Sequence, residues 1–221
     1  MSKEKEIIAK RVAQELQEGD VINLGIGLPT LVSNYVPNDM DVLLQSENGM
    51  ILMGPAPAPD QIDRNIANAG AKPATILPGG AFFDSALSFS IIRGGHVDVT
   101  VLGALQIDET GSLASHIVPG QMAAGMGGAM DLIAGSKKVI IATTHTVKDG
   151  VPKILKRCTL PLTAVNRVNK IITELAVMEV HPHGLVLTEL AEGVTADYVQ
   201  ERTEAKLHLA DTIKTMQVKD A

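Results

Sequence analysis

Aromatic side chains are scarce in this chain, with three Phe, two Tyr and no Trp among 221 residues. Stacking platforms for nucleobases are therefore few, and a formal charge of −6 offers no basic field for a phosphate backbone. Nucleic acid is not an expected partner. Cys158 is the single cysteine, which excludes an intrachain disulfide and any cysteine cluster for zinc. No apolar run approaches the roughly 20 residues that a membrane span needs. The opening Met1-Ser2-Lys3-Glu4-Lys5-Glu6 mixes both charges and has no signal-peptide h-region. These absences describe a cytoplasmic protein, free of membrane, in a reducing compartment.

What remains is ordinary globular material. With 45% hydrophobic and 20% charged residues, 221 residues can bury a substantial core. No internal repeat, low-complexity tract or linker divides the chain, so one domain over 1–221 is expected. Residues 5–17 place Ile8, Val12 and Leu16 four apart, an amphipathic helix stopped by Gly19. A short strand follows at 21–24, then Gly25-Ile26-Gly27-Leu28-Pro29-Thr30. Pro29 suits a first helical position, which predicts a short helix over 31–36. Strand 42–47 comes next, and the Pro-rich 54–59 must be a loop.

Strand 73–77, a glycine turn at 79–85 entering a helix to about Arg93, strand 98–108, a short helix near 130–133 and strand 138–142 continue the alternation. Such a β/α order implies an open, largely parallel sheet with helices on both faces. The last third differs. Residues 171–180 and 185–190 read as antiparallel strands joined by a hairpin at His181-Pro182-His183-Gly184, and 195–209 reads as a terminal helix.

One segment stands out for chemistry. Ser46-Glu47-Asn48-Gly49 closes the strand 42–47, and open α/β sheets bind ligands at that edge. A carboxylate there can act as base, ligand or nucleophile, or simply sit solvated beside the turn-former Asn-Gly. Gly25-Ile26-Gly27, between a strand and a helix, could cradle an anion or be a plain tight turn. It is no dinucleotide fingerprint, because Thr30 stands at the third glycine. Gly125-Met126-Gly127-Gly128 leaves backbone N–H groups open to a ligand or an oxyanion, or lets a helix pack closely on a strand. Gly120 and Gly125 have P-loop spacing, but Met126 replaces the required Lys. The six histidines hold no H-E-x-x-H pair, His181 and His183 fit a turn better than a metal site, and G-x-S-x-G is absent. Cys158 has no activating pattern.

Taken in order, Gly25-Ile26-Gly27-Leu28-Pro29, Ser46-Glu47-Asn48-Gly49, Phe82-Phe83-Asp84-Ser85, Ser90-Ile91-Ile92-Arg93-Gly94-Gly95-His96-Val97-Asp98, Gly125-Met126-Gly127-Gly128 and Leu160-Pro161-Leu162-Thr163 resemble the β subunit of family I CoA-transferases, from about Lys10 to Glu192. The likeness is to acetate or butyrate–acetoacetate enzymes and to succinyl-CoA:3-oxoacid enzymes. It implies the CoA-transferase (NagB/RpiA-like) fold. It also implies Glu47 as the nucleophile of a ping-pong reaction through a glutamyl-CoA thioester, without metal or redox cofactor, coenzyme A being a substrate. Gly25, Gly27, Gly127 and Gly128 would then serve the oxyanion or CoA, with Ser46 and Asn48 in support. A CoA-transferase α subunit is the implied partner, in an α2β2 assembly acting on acyl-CoA and short carboxylic acids. One departure bears on acyl specificity: relatives often read Asn-Trp where this chain has Ser115-His116. Two other readings share the fold, a sugar-phosphate isomerase or deaminase using Glu47 as a base, and a ligand-sensing domain without catalysis.

Overall fold

Runs of Val, Ile and Leu with no exposed face form the centre of a ten-stranded sheet in the computed structural model, which describes residues 2–37, 39–120, 125 and 127–218. In chain order the first half holds α1 (Lys3–Ala13), β1 (Val21–Leu24), β2 (Leu43–Ser46), β3 (Met50–Gly54), β4 (Thr75–Phe82), α2 (Ser85–Arg93) and β5 (Val99–Leu102). Then follow β6 (Gln106–Asp108), β7 (Leu113–Ala114), α3 (Ala129–Gly135), β8 (Lys138–Ala142) and β9 (Ile154–Leu155). The last elements are β10 (Lys170–Ile172), β11 (Ala176–His181), β12 (Gly184–Leu190), α4 (Ala196–Gln200) and β13 (Leu207–Thr215).

The large sheet runs β13-β12-β11-β10-β8-β5-β1-β2-β3-β4. Its middle, from β10 through β8, β5 and β1 to β2, is parallel. Antiparallel pairs join β2 to β3, β3 to β4, β10 to β11 and β11 to β12. A small sheet, β7-β6-β9, stands apart. β5 is buried along its whole length and β8 from Val139 onward, as strands covered on both faces must be.

Side-chain alternation assigns the two faces. Ile22, Val99, Val101, Ile140 and Ile172 pack under Ile8 and Val12 of α1 and under Leu16 just beyond it. Leu102, Val139, Ile141 and Ile171 pack under Ile92 of α2, Leu132 and Ile133 of α3, and Val199 of α4. Each fully buried aliphatic side chain contributes roughly 1.5–3 kcal/mol. α1 is also clamped to β12, the strand beside the edge strand β13. Arg11 Nε and Nη2 donate to the two carboxylate oxygens of Glu189 on β12, at 2.7 and 2.6 Å. Among the described residues no helix is long and apolar enough to cross a membrane.

The α/β architecture with helices on both faces and a late hairpin agrees with the sequence reading; several elements do not. The helix expected over 5–17 ends at Ala13, after which Glu15 and Leu16 stay in turn geometry by N–H bonds to Val12 and Ala13. Gly79 to Phe82, read as a turn, continues β4, and α2 begins only after Asp84, whose carboxylate accepts from the Leu87 N–H at 2.8 Å. Strand 98–108 breaks after Leu102, and 106–108 joins the small sheet. Strand 171–180 is two antiparallel strands folded at Thr173, whose hydroxyl oxygen accepts from the Leu175 and Ala176 N–H groups. The terminal helix is five residues long and gives way to β13, paired parallel to β12.

Candidate active site

β1, β2 and β5 point the same way, so their carboxyl ends share one sheet edge. The chain order reverses there, because β2 lies on one side of β1 and β5 on the other. Loops leaving neighbouring strands diverge at such a switch point and open a crevice. A cavity of about 560 Å³ occupies it, in the size range of small-molecule sites.

Glu47 leaves β2 at this edge and begins the 47–49 connection to β3. Gly49 closes the turn with an N–H bond to the Ser46 carbonyl at 2.9 Å and φ of +116°. A Cβ on Gly49 would collide with the Phe83 carbonyl oxygen, so no other residue fits. Ser46 Oγ donates to Asn48 Oδ1 at 2.7 Å and accepts from the Ala69 N–H at 3.0 Å. Asn48 Nδ2 donates to the Ala67 carbonyl at 2.8 Å. These bonds tie the 67–70 turn against the Glu47 hairpin, and Asn68, Ala69 and Gly70 become one wall of the cavity.

Below the hairpin, Asn23 Nδ2 donates to Gln45 Oε1 at 2.5 Å, and Gln45 Nε2 donates to Ser88 Oγ at 2.9 Å. This buried amide pair forms a polar floor whose groups are already spent on each other. Leu24, Ile26, Met53, Leu102, Leu105 and Leu132 supply apolar surface.

The half-buried Glu47 carboxylate faces the segment before α3. The Gly128 N–H donates to its Oε1 at 3.2 Å. Among the described residues no Lys, Arg or His pairs with Glu47. A Cβ on Gly128 would stand 2.9 Å from Oε2 and 3.0 Å from Cδ, so the bare glycine is what admits the carboxylate.

Of the residues singled out from sequence, Glu47, Ser46, Gly25, Gly127 and Gly128 come together around this cavity, as does Gly125. Gly27 and Asn48 stand outside its lining. The Gly25 N–H is spent on the Val101 carbonyl at 2.8 Å, so Gly25 offers surface without a donor. Gly27 has φ of +92°, and its carbonyl accepts from the Thr30 hydroxyl at 2.7 Å. Met126 lies outside the described residues.

Sequence reasoning did not place the Asn23–Gln45 floor or the 67–70 wall; Asn68-Ala69-Gly70, a turn composition, was the one available signal. Ser115 and His116 also line the cavity, held by Thr163 at 2.8 and 3.1 Å. Cys158 lies away from it, and burial beside Asp108 pushes its thiol up to about 12. His183 does occupy the turn, and His181 is the last residue of β11 beside it, with ring centroids 5.4 Å apart.

Comparison with known proteins follows the same lines. Residues 5–202 match the family model described as Coenzyme A transferase. The chain is 53% identical over 213 residues to the beta subunit of the acetate CoA-transferase of Escherichia coli K12, covering 96% of each. It is 47% identical to a subunit of the succinyl-CoA:3-ketoacid coenzyme A transferase of Helicobacter pylori 26695, covering 93% of this chain and 99% of that one. Among solved structures, an acyl-CoA transferase of E. coli O157:H7, crystallised as a thioester complex with CoA, superposes with a TM-score of 0.76 at 24% identity. That match covers 98% of this chain and 44% of the longer one, and shows a shared fold. A family match over most of the length, with relatives this similar across nearly all of both chains, establishes that the chain belongs to the coenzyme A transferase family.

Proposed function

We propose that this chain is the β subunit of a two-subunit CoA-transferase. It would move CoA from a short-chain acyl-CoA or 3-oxoacyl-CoA to a carboxylic acid through a glutamyl-CoA thioester on Glu47. The observation that carries the reading is the Glu47 carboxylate itself: half-buried, at the carboxyl edge of a parallel sheet, and held by one backbone N–H with no cation paired to it among the described residues. A carboxylate paired with Arg or Lys shares its charge and attacks poorly. Glu47 keeps its own.

The steps balance without proton transfer. A Glu47 carboxylate oxygen attacks the thioester carbonyl, whose π pair moves onto oxygen, and collapse expels CoA thiolate to leave a mixed anhydride. The thiolate attacks Glu47 Cδ, and the second collapse expels the first acid and leaves the glutamyl thioester. An incoming carboxylate attacks the same Cδ and expels the thiolate, which takes the acyl group from the new anhydride and frees Glu47. At both attacks on Cδ the developing charge falls on a Glu47 oxygen, and Gly128 N–H already donates to Oε1. Such a donor is typically worth ~2.7–4 kcal/mol in the transition state. Anhydride and thioester are both hydrolysable, so the apolar lining has a task in excluding water.

A sugar-phosphate isomerase would need charge for the phosphate, and the described cavity lining contains no Lys or Arg. A ligand sensor would not need an unpaired carboxylate. The partner would be an α subunit in an α2β2 assembly, with residues 1–221 as a single cytoplasmic domain. Support comes from the E. coli K12 and H. pylori relatives, both named as one subunit of an enzyme, and from the solved chain that is more than twice as long.

The test is to mix the chain with its α subunit, add acyl-CoA without acceptor acid, and trap with hydroxylamine. Peptide mass spectrometry should find a hydroxamate on Glu47, and Glu47→Gln should abolish both the adduct and turnover. Robust exchange by Glu47→Ala, or by this chain in a preparation free of any α subunit, refutes the corresponding half of the proposal.

A further inference from the structure

The cavity has a second polar feature that the glutamyl chemistry does not use. Ser115 and His116 follow β7 and line the cavity together with Glu47. His116 Nδ1 lies 3.1 Å from Thr163 Oγ1. Its other ring nitrogen, Nε2, has no hydrogen-bond partner among the described residues. The remaining polar side chains of the lining are mostly committed. Asn23 and Gln45 bond each other, the Thr30 hydroxyl donates to Gly27, Ser46 donates to Asn48, and Ser115 is held by Thr163. Asn68 keeps one free donor, its amide nitrogen, but it belongs to the turn tied to Ser46 and Asn48, beside the reacting carboxylate.

We infer that His116 reads the acyl chain: its Nε2 donates to an oxygen carried beyond the reacting carboxyl group, a 3-oxo oxygen or a distal carboxylate. The inference rests on the proposed role of Glu47, because the reacting end is what Glu47 positions.

Hydrogen-bond bookkeeping around Thr163 shows how the ring is set. Thr163 Oγ1 accepts from the Ser115 N–H at 3.1 Å, which leaves it one lone pair and one proton. Ser115 Oγ at 2.8 Å and His116 Nδ1 at 3.1 Å share these. If the Ser115 hydroxyl donates to Thr163, then Thr163 donates to Nδ1, and the neutral ring carries its proton on Nε2. If Thr163 donates to Ser115, Nδ1 carries the proton and Nε2 becomes an acceptor. Rotation of two hydroxyl groups therefore changes what Nε2 offers without moving the ring. An oxygen in the cavity selects the donor form. An unbranched alkyl chain makes no use of Nε2 and leaves it unbonded. A site built to bond a substrate oxygen discriminates strongly against analogues that lack it.

The assay uses the complete enzyme, with acetyl-CoA as donor and acetoacetate, succinate or butyrate as acceptor. His116→Phe should lower the ratio of kcat/KM for acetoacetate or succinate over butyrate about 10- to 100-fold, the range of one lost substrate hydrogen bond. A fall confined to one ratio identifies which oxygen the ring reads. His116→Gln, which restores a neutral N–H donor, should bring the affected ratio back to within about fivefold. Unchanged ratios in His116→Phe, an equal loss for all three acids, or no recovery in His116→Gln would each overturn the assignment. Hydroxylamine trapping in the unmodified enzyme separates the two layers. No adduct on Glu47 defeats the glutamyl thioester, whereas an adduct with unchanged ratios defeats only the role of His116.

Discussion

Gly128→Ala adds a single methyl group, and the structure places that group against the reactive carboxylate. Its Cβ would stand 2.9 Å from Glu47 Oε2, 3.0 Å from Cδ and 3.2 Å from Oε1, where ordinary contacts begin near 3.4 Å. The backbone at Gly128, φ −84° and ψ 7°, is one that alanine adopts, so the carboxylate rather than the main chain must give way. A shift of about 0.5–1 Å relieves the contact, and misplacement by 1 Å can cost about 10²-fold in rate. Stability should hardly move. Alanine is a poorer helix N-cap than glycine by about 1 kcal/mol, while the stiffer unfolded chain returns roughly 0.4–1 kcal/mol.

Gly127→Ala is the control, with the opposite pattern. There a Cβ would lie 3.5 Å from Oε1, an ordinary contact, but φ of +55° burdens any side chain by about 1–2 kcal/mol. Steady-state CoA exchange and thermal melting on both variants decide the matter. Gly128→Ala should lose rate and keep its melting point; Gly127→Ala should lose melting point and keep more of its rate. An unimpaired kcat in Gly128→Ala, or a rate loss that merely follows its folded fraction, would refute the reasoning.

Two further expectations concern stability. His145 is fully buried, and burial first, then the charge of Arg202, lowers its pKa to about 4. The native ring stays neutral while the unfolded ring takes a proton below about 6.5. The unfolded state therefore binds more protons between these values, and stability should fall on acidification from pH 6.5 to 4, by up to about 3 kcal/mol. Urea titrations should show that slope, and His145→Gln should flatten it; an equal slope in the variant would contradict the assignment. Glu15 is pushed up by burial, but hydrogen bonds from Lys138, Lys170 and Arg11 outweigh this and hold it at about 2. Its contribution is present above pH 4.5 and lost as pH falls towards 2. At neutral pH Glu15→Gln should destabilise by about 3 kcal/mol, because Arg11 and Lys170 keep only Glu189 and Glu179 while Lys138 loses its carboxylate partner, and should leave exchange per folded molecule unchanged.

The parts of the fold legible in sequence were those where burial alone decides. Val99–Leu102 and Lys138–Ala142 are apolar runs covered on both faces, and both were read as strands. The elements missed depended on contacts distant in sequence or on weak local signals. Thr173 turns β10 into β11 with its hydroxyl and with its N–H bond to the Ala176 carbonyl, in a stretch that lacks Gly, Pro and Asn. The approach to β13 did carry a sign. Thr203, Ala205 and Leu207 are buried at every second residue, a strand period that the helical N-terminus at Thr195 obscured.

In the site, the difficulty was telling one glycine from another. Sequence named four, and all precede or follow elements that would suit an anion. What distinguishes them is the atom a Cβ would meet. At Gly25 it meets Leu102 and the Val101 carbonyl, and the N–H continues the β1–β5 ladder one residue beyond the strand, so that glycine serves packing. At Gly27 it meets nothing within 4 Å, so only the positive φ asks for glycine. At Gly128 it meets the carboxylate of Glu47, 81 residues earlier in the chain. That meeting requires β1, β2 and β5 to be parallel neighbours, so that separate loops converge on one edge. Parallel order could be inferred from the β/α alternation, but the register that brings residue 128 to residue 47 could not. The same holds for Ser115-His116 and Thr163, both noted as motifs and joined only by the fold. Residue type shows what a group can do; the fold decides which partner is left for it to do it with.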